Sequence, residues 1–145
     1  PAFSGVDQLG QPLRLADFAG RKLVLYFYPK DDTTGCTAEA CSLRDDHAAL
    51  RHAGYEVVGV SPDKAAKHKK FADKYDLPFR LLADPEKEAA NAYGVWGRKK
   101  FMGREYDGIL RTTFLIDGNG VIERVITDVR TKDHAQQVLE TGPEK

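Results

Sequence analysis

Short apolar runs alternate along the chain with longer segments of mixed character. Leu23-Val-Leu-Tyr-Phe-Tyr28 has the length of a strand and is apolar or aromatic on both faces, the pattern of a central strand covered from each side. Tyr55-Glu-Val-Val-Gly-Val-Ser61 predicts a second buried strand, and Arg80 to Ala83 a short third. Thr112-Thr-Phe-Leu-Ile-Asp117 and Val121 to Val129, joined through Gly118-Asn119-Gly120, predict a hairpin. Residues 3 to 15 suggest another around Leu9-Gly10-Gln11-Pro12, and Asp17-Phe18-Ala19-Gly20 is a turn leading into the first apolar strand.

Between the strands, one helix is predicted from about Thr37 to Ala53, stopping at Gly54, and a second runs from Pro62-Asp63 to about Tyr75. Asp84-Pro85 sets up a third, with Pro in its first turn and Gly94 at its end, and a last helix covers about 132 to 141. Pro29 to Gly35 must be a loop, since Pro, Asp, Thr and Gly favour neither helix nor strand interior. Residues 95 to 110 hold three glycines among scattered aromatics and basics and read as an ordered surface loop. Strands interleaved with helices and closed by an antiparallel hairpin predict an α/β layered domain with a central mixed sheet. No repeat or linker divides the chain, and 145 residues are one domain in size, so a single domain over 1–145 is expected.

Charge narrows the function classes. With 22 basic and 22 acidic side chains the formal charge is zero, which excludes holding nucleic acid or an anionic membrane by bulk charge. The basic cluster Lys64 to Lys70, with Lys67, His68 and Lys69, reads as the wet face of a helix, and His47, His52, His68 and His134 are expected to face solvent. No apolar run approaches the roughly 20 residues that cross a bilayer. Two cysteines are too few for a secreted disulfide scaffold, which points to the cytoplasm; the chain begins at Pro1, so an upstream targeting segment stays open.

Both cysteines lie in "PKDDTTGCTAEAC", residues 29 to 41. Cys36, Cys41, His47 and His52 loosely match zinc-ligand spacings, but on one continuous helix Cys36 and His52 would stand about 24 Å apart along the axis, and no tetrahedral site forms. Cys41, at mid-helix beside Ala40 and near Leu43, suits an ordinary core thiol. Cys36 follows a loop that leads from the carboxyl end of a strand into a helix, where α/β folds present chemistry and where helix N–H groups favour a thiolate. A permanent disulfide fails if both residues share one regular helix. Five residues give a rise of about 7.5 Å and Cβ atoms that diverge, whereas a disulfide needs Cα atoms within about 7 Å. Core thiols and a catalytic pair that bridges only after local unwinding both remain open on spacing alone.

The pattern Pro29-x-x-x-Thr33-x-x-Cys36 after Tyr26-Phe-Tyr resembles the active-site signature of peroxiredoxins, thiol peroxidases with a thioredoxin-like fold. Gly35-Cys36-Thr-Ala-Glu-Ala-Cys41-Ser-Leu-Arg44-Asp45 is similar to the bacterioferritin-comigratory-protein, or peroxiredoxin Q, subfamily. So are Asp63-Lys64, Tyr93-Gly-Val-Trp-Gly97, Phe101-Met-Gly103 and Arg111-Thr-Thr-Phe-Leu-Ile-Asp117. The resemblance covers nearly the whole chain. It implies a thioredoxin-like fold with a central mixed sheet, flanking helices and an N-terminal β-hairpin. It further implies that Cys36 is the peroxidatic cysteine and Cys41 the resolving one, that thioredoxin or glutaredoxin supplies the reductant, and that the protein is a monomer. No metal, flavin, haem or other cofactor is expected.

Such chemistry explains the residue types. A thiolate attacks one peroxide oxygen and becomes a sulfenic acid while the other oxygen leaves. An unperturbed thiol is only about 3% ionised at neutral pH, so complete ionisation gains at most roughly thirtyfold. Groups that orient the peroxide and stabilise charge as the O–O bond breaks must supply the rest. Thr33 Oγ1, the Cys36 N–H and Arg111 are suited to this, and Pro29 can shield the sulfur from water. Glu39, three residues after Cys36, is a candidate to pair with Arg111 and aim it, with an exposed helix carboxylate as the alternative. Trp96, Phe101 and Tyr106 are candidates for the pocket's outer wall or for packing.

Overall fold

The chain alternates strands and helices in the computed structural model, which describes residues 1–140 and, of Phe101, the backbone only. The elements in chain order are β1 (Ser4–Val6), β2 (Pro12–Arg14), β3 (Lys22–Phe27), α1 (Thr34–Asp45), α2 (His47–His52), β4 (Tyr55–Ser61), α3 (Ala65–Tyr75) and β5 (Arg80–Ala83). There follow α4 (Glu88–Ala92), β6 (Trp96–Phe101), β7 (Arg104–Ile109), β8 (Thr112–Ile116), β9 (Ile122–Ile126) and α5 (His134–Leu139). Seven strands form one mixed sheet in the order β2-β1-β5-β4-β3-β8-β9. β3, β4 and β5 run parallel, while β8 lies antiparallel to β3 and β1 antiparallel to β5.

Two cores follow from the period-two alternation of β3, which is buried at every residue from Leu23 to Phe27. Leu23, Leu25 and Phe27 face a cluster with Leu13, Val58, Tyr93, Ile109 and Phe114. Val24 and Tyr26, with Tyr28 beyond the strand end, face the other side with Cys36, Leu43, Phe71, Leu81, Leu115 and Val138. Gly59 on β4 lies opposite Tyr26, and a Cβ there would fall 2.8 Å from the Tyr26 ring, so glycine makes the room this tyrosine needs.

Several sequence expectations are corrected. The helix after the first loop starts at Thr34, three residues earlier than expected, and does not run unbroken to Ala53. Asp46, a poor helix-interior residue with φ −107° and ψ 20°, separates α1 from α2. The helix after Asp84-Pro85 begins only at Glu88, and the Asp84 carboxylate accepts from the N–H groups of Ala89 and Ala90 at 3.0 Å. α3 begins at Ala65 rather than at Pro62, and the last helix covers 134 to 139 after a 3₁₀ turn; its expected end at Thr141 lies outside the described residues.

Residues 95 to 110 hold a strand pair, not a loop. β6 and β7 form their own antiparallel sheet, turning at Met102 and Gly103, both at positive φ. Nor is the whole basic cluster of α3 wet. His68 is fully buried, and so is His134 on α5, because each has hydrogen-bond partners on both ring nitrogens.

Candidate active site

The C-terminal end of β3 gathers the chemistry. Phe27 pairs with Thr112, so Arg111, one residue before β8, enters where the chain leaves β3 for the loop 29–33 and the start of α1. Ligands bind at such carboxyl ends of parallel strands because loops and helix N-termini converge there. Thr33 is the N-cap of α1, which places Cys36 in the first turn, where unpaired N–H groups and the helix dipole favour negative charge. Cys36 is buried, at 1% exposure.

Arg111 joins two side chains of α1. Its Nη2–H donates to Cys36 Sγ at 3.3 Å, and its Nη1–H donates to Glu39 Oε1 at 2.7 Å. The planar fork of a guanidinium can serve both at once. Gly35 makes this approach possible: a Cβ there would sit 3.2 Å from Arg111 Nη2. Sequence reasoning missed that role, because a glycine before a helix reads as turn chemistry.

Glu39 is not an exposed helix carboxylate but fully buried, one turn of α1 beyond Cys36. Burial pushes its carboxyl up to about 7, and Arg111 pulls in the opposite direction. Burial works against the charge on Arg111, but the attraction of Glu39 and of Cys36 outweighs it, so the guanidinium is held above its ordinary range. Behind Glu39 stands His134, whose Nε2 lies 3.5 Å from Glu39 Oε2; burial lowers the imidazole to about 4 and keeps it neutral.

Pro29 and Thr33 occupy the loop between β3 and α1, Pro29 half-buried and Thr33 exposed. The Thr33 hydroxyl donates to Lys30 O at 3.1 Å and does not cap the helix. A buried polar network anchors this loop. The Tyr28 hydroxyl donates to Asp31 Oδ1, Asp31 Oδ2 lies 2.6 Å from His68 Nδ1, and His68 Nε2 faces Leu82 O at 3.0 Å. The Asp31 N–H donates to Asp63 Oδ2 at 2.7 Å, and the Ser61 hydroxyl donates to the same oxygen at 2.8 Å. Asp31, Asp63 and His68 bring ligand-type atoms within 4.8 Å of one another, yet their bonding atoms are taken up by these protein partners. Asp32, in the left-handed region at φ 63°, accepts from Lys74 and from the Tyr75 hydroxyl at 2.8 and 2.9 Å.

Cys41 is half-buried, free, and on the same unbroken helix as Cys36, so the two sulfurs cannot meet while α1 stays wound. Two bonds fasten the C-terminal part of that helix: the Ala135 N–H donates to Ser42 Oγ at 3.0 Å, and Arg44 Nη1–H donates to Tyr75 O at 2.8 Å. An open cleft of about 660 Å³ borders Arg111 and is lined by Tyr93, Val95, Lys99, Leu110, Phe114 and Val125 among others. Trp96 and Tyr106 do not line it: Trp96 packs on the core formed by Leu23, Leu25 and Phe27, beneath Lys87, and Tyr106 is exposed on β7. The Phe101 side chain lies outside the described residues.

Residues 1–125 match the AhpC/TSA family. The chain is 48% identical over 139 residues to peroxiredoxin Bcp of Escherichia coli K12, covering 96% of this chain and 89% of the relative. It is also 48% identical over 132 residues to peroxiredoxin Bcp of Bacillus subtilis, covering 91% and 84%. Among solved structures, the bacterioferritin comigratory protein of Xanthomonas campestris, studied for its alkyl peroxide reduction activity, superposes with a TM-score of 0.88 at 32% identity, covering 94% of this chain and 87% of that one. The layered architecture is that of the thioredoxin-like fold.

Proposed function

The chain belongs to the AhpC/TSA family as a peroxiredoxin of the Bcp, or peroxiredoxin Q, kind, and from that membership we propose that Cys36 is its peroxidatic thiolate and Cys41 its resolving thiol. The observation that carries this reading is the Arg111 fork, which holds Cys36 Sγ and the buried Glu39 on one guanidinium at the start of α1. Cys36 attacks the nearer peroxide oxygen; an S–O bond forms, the O–O bond breaks, and the leaving oxygen takes up a proton. Arg111 and the N–H groups of the first turn of α1 face the charge that develops. Pro29 shapes the pocket wall, Thr33 orients the peroxide by its hydroxyl, and Glu39 aims Arg111.

Cys41 then attacks the sulfenic sulfur, forming the Cys36–Cys41 bond and releasing water, after α1 has unwound across both residues. A dithiol protein reduces the bridge by two exchange steps and becomes oxidised itself. Thioredoxin is the reductant of choice, with glutaredoxin as the variant of the same chemistry. The apolar walls of the cleft beside Arg111, Leu110 and Val125 among them, support organic hydroperoxides alongside hydrogen peroxide as substrates. We assign this activity to one domain spanning 1–145, acting as a cytoplasmic monomer in antioxidant defence; among the described residues no helix is long and apolar enough to cross a membrane.

Mass mapping of peroxide-treated protein, combined with turnover on thioredoxin and its reductase, tests the assignment. The expected products are a Cys36–Cys41 bridge in the wild type, no peroxide consumption in Cys36→Ser, and a single round of sulfenic acid formation without recycling in Cys41→Ser. Normal recycling by Cys41→Ser overturns the resolving role.

A further inference from the structure

Glu39 Oε1 is held by Arg111, but Glu39 Oε2, equally buried, has no hydrogen-bond partner. Its neighbour at 3.5 Å is Nε2 of His134, which is also fully buried. A buried carboxylate oxygen without a donor is costly, so the location of the protons here decides whether the site is stable.

Hydrogen bonding fixes the tautomer of His134. Gln137 accepts from the Arg130 N–H at 2.9 Å through Oε1 and donates to Asp128 O at 2.7 Å through Nε2, so its amide has only one orientation. His134 Nδ1 lies 2.9 Å from that same Oε1, an acceptor, and must carry the proton. In neutral His134, Nε2 is therefore a lone pair, facing the Thr113 hydroxyl at 2.8 Å and Glu39 Oε2. With Glu39 ionised, two acceptors oppose each other. With one added proton the opposition is lifted: either an N–H on His134 faces Glu39 Oε2, or an O–H on Glu39 removes the carboxylate charge while the Thr113 hydroxyl keeps the Nε2 lone pair.

Charge balance ties this proton to Cys36. Arg111 brings one fixed positive charge into the buried site, and either the Cys36 thiolate or the Glu39 carboxylate suffices to neutralise it; both together leave a buried excess of negative charge. We propose that Glu39 and His134 hold one proton between them while Cys36 is a thiolate, and give it up when Cys36 loses its charge on oxidation. This rests on the peroxidatic role proposed for Cys36. The sum is balanced: thiolate, hydroperoxide and protonated Glu39 become sulfenic acid, alcohol and ionised Glu39, with the leaving oxygen gaining the proton the pair releases. His134 is thus a positioning residue, acting on Arg111 through Glu39.

The other ionisable groups facing the pair are few. Arg111 acts on Glu39 and shares its charge with Cys36 of α1, Tyr26 of β3 feels both Glu39 and Cys36, and Arg111, Arg130 and Asp133 act on His134. Of these only Cys36 changes charge in the reaction. Burial raises Glu39 and lowers His134, which puts the shared proton on the carboxyl.

Glutamate labelled with carbon-13 at the carboxyl and imidazole labelled with nitrogen-15, followed by NMR against pH in the reduced protein, tests the proposal. In the wild type the His134 Nε2 resonance is expected to move with the midpoint of Glu39. In Cys36→Ser, where no thiolate can form, the acid dissociation constant of Glu39 is expected to rise roughly tenfold, one unit of pKa. Equal Glu39 midpoints in the two proteins, or a His134 signal indifferent to Glu39, overturns it. Should Cys36→Ser not fold, Cys41→Ser treated with one equivalent of peroxide provides the uncharged sulfur. Mass analysis of the same samples separates the outcomes: an unoxidised Cys36 defeats the peroxidase assignment, whereas oxidation without a Glu39 shift defeats only the shared proton.

Discussion

Arg111 Nη2 lies 3.3 Å from Cys36 Sγ across 75 residues of sequence, and the opposite nitrogen of the same guanidinium holds Glu39. A lysine ammonium is a point charge and cannot span both partners. Arg111→Lys is therefore expected to fold but to slow Cys36 oxidation by about 100- to 1,000-fold, the loss typical of one preorganised donor at a developing charge. Stopped-flow oxidation by hydrogen peroxide measures this; a loss below tenfold would show that the fork is dispensable.

Ser42, the residue after Cys41, accepts from the Ala135 N–H, and this bond is expected to part when α1 unwinds across the two cysteines. The Ala135 N–H belongs to the first turn of α5, where no intrahelical acceptor exists, so Ser42→Ala leaves it poorly satisfied at a cost of about 1 kcal/mol. The unwound form lacks the bond in either protein. Ser42→Ala should consequently lower stability to urea while speeding closure of the Cys36–Cys41 bridge roughly fivefold, the rate equivalent of that energy. Rapid acid quench with thiol counting gives the closure rate, and an unchanged rate would mean that α1 unwinds without releasing α5.

His68→Leu tests the anchor of the active-site loop. It removes one member of a fully buried pair and leaves the Asp31 carboxylate with the Tyr28 hydroxyl alone. Breaking such a pair costs roughly 3 to 5 kcal/mol. Urea unfolding should show that loss together with slower Cys36 oxidation, since loop 29–33 carries Pro29 and Thr33. A loss under about 1 kcal/mol would remove the pair from any role in holding the loop.

Glu39 and His134 impose opposite pH dependences on stability. His134 drops from 6.5 unfolded to about 4 folded, so the unfolded chain binds more protons in between, and stability falls as pH falls through that window. Glu39 rises from 4.5 to about 7, so the folded protein binds more protons, and stability falls as pH rises. Between pH 4.5 and 6.5 the two slopes cancel. His134→Gln should leave stability falling with rising pH at up to about 1.4 kcal/mol per unit, and Glu39→Gln should reverse the sign. Urea midpoints across the window measure both; parallel profiles in the two variants would contradict the assignment.

How much of this was legible varies with the range of the interaction. The buried strand β3 and the loop after it could be read from local pattern, as could the place of Cys36 near a helix start, because burial on both faces and turn chemistry act over a few residues. The β6–β7 hairpin escaped: β7 is exposed from Arg104 to Asp107, so no alternation marks it, and its turn uses Met102-Gly103 in place of an Asn-Gly signal. His68 and His134 escaped as well, since nothing in a basic or mixed helical stretch reveals which polar side chain finds partners inside.

By itself the sequence determined the layered α/β class, the separation of two thiols on one helix and, through resemblance, the peroxidase chemistry. Only the tertiary structure decided which distant groups meet. The register that sets Phe27 beside Thr112 delivers Arg111 to Cys36, and α5 packed against α1 closes His134 over Glu39. Strand register and helix packing depend on the whole core at once, whereas burial pattern and spacing are properties of a few neighbouring residues.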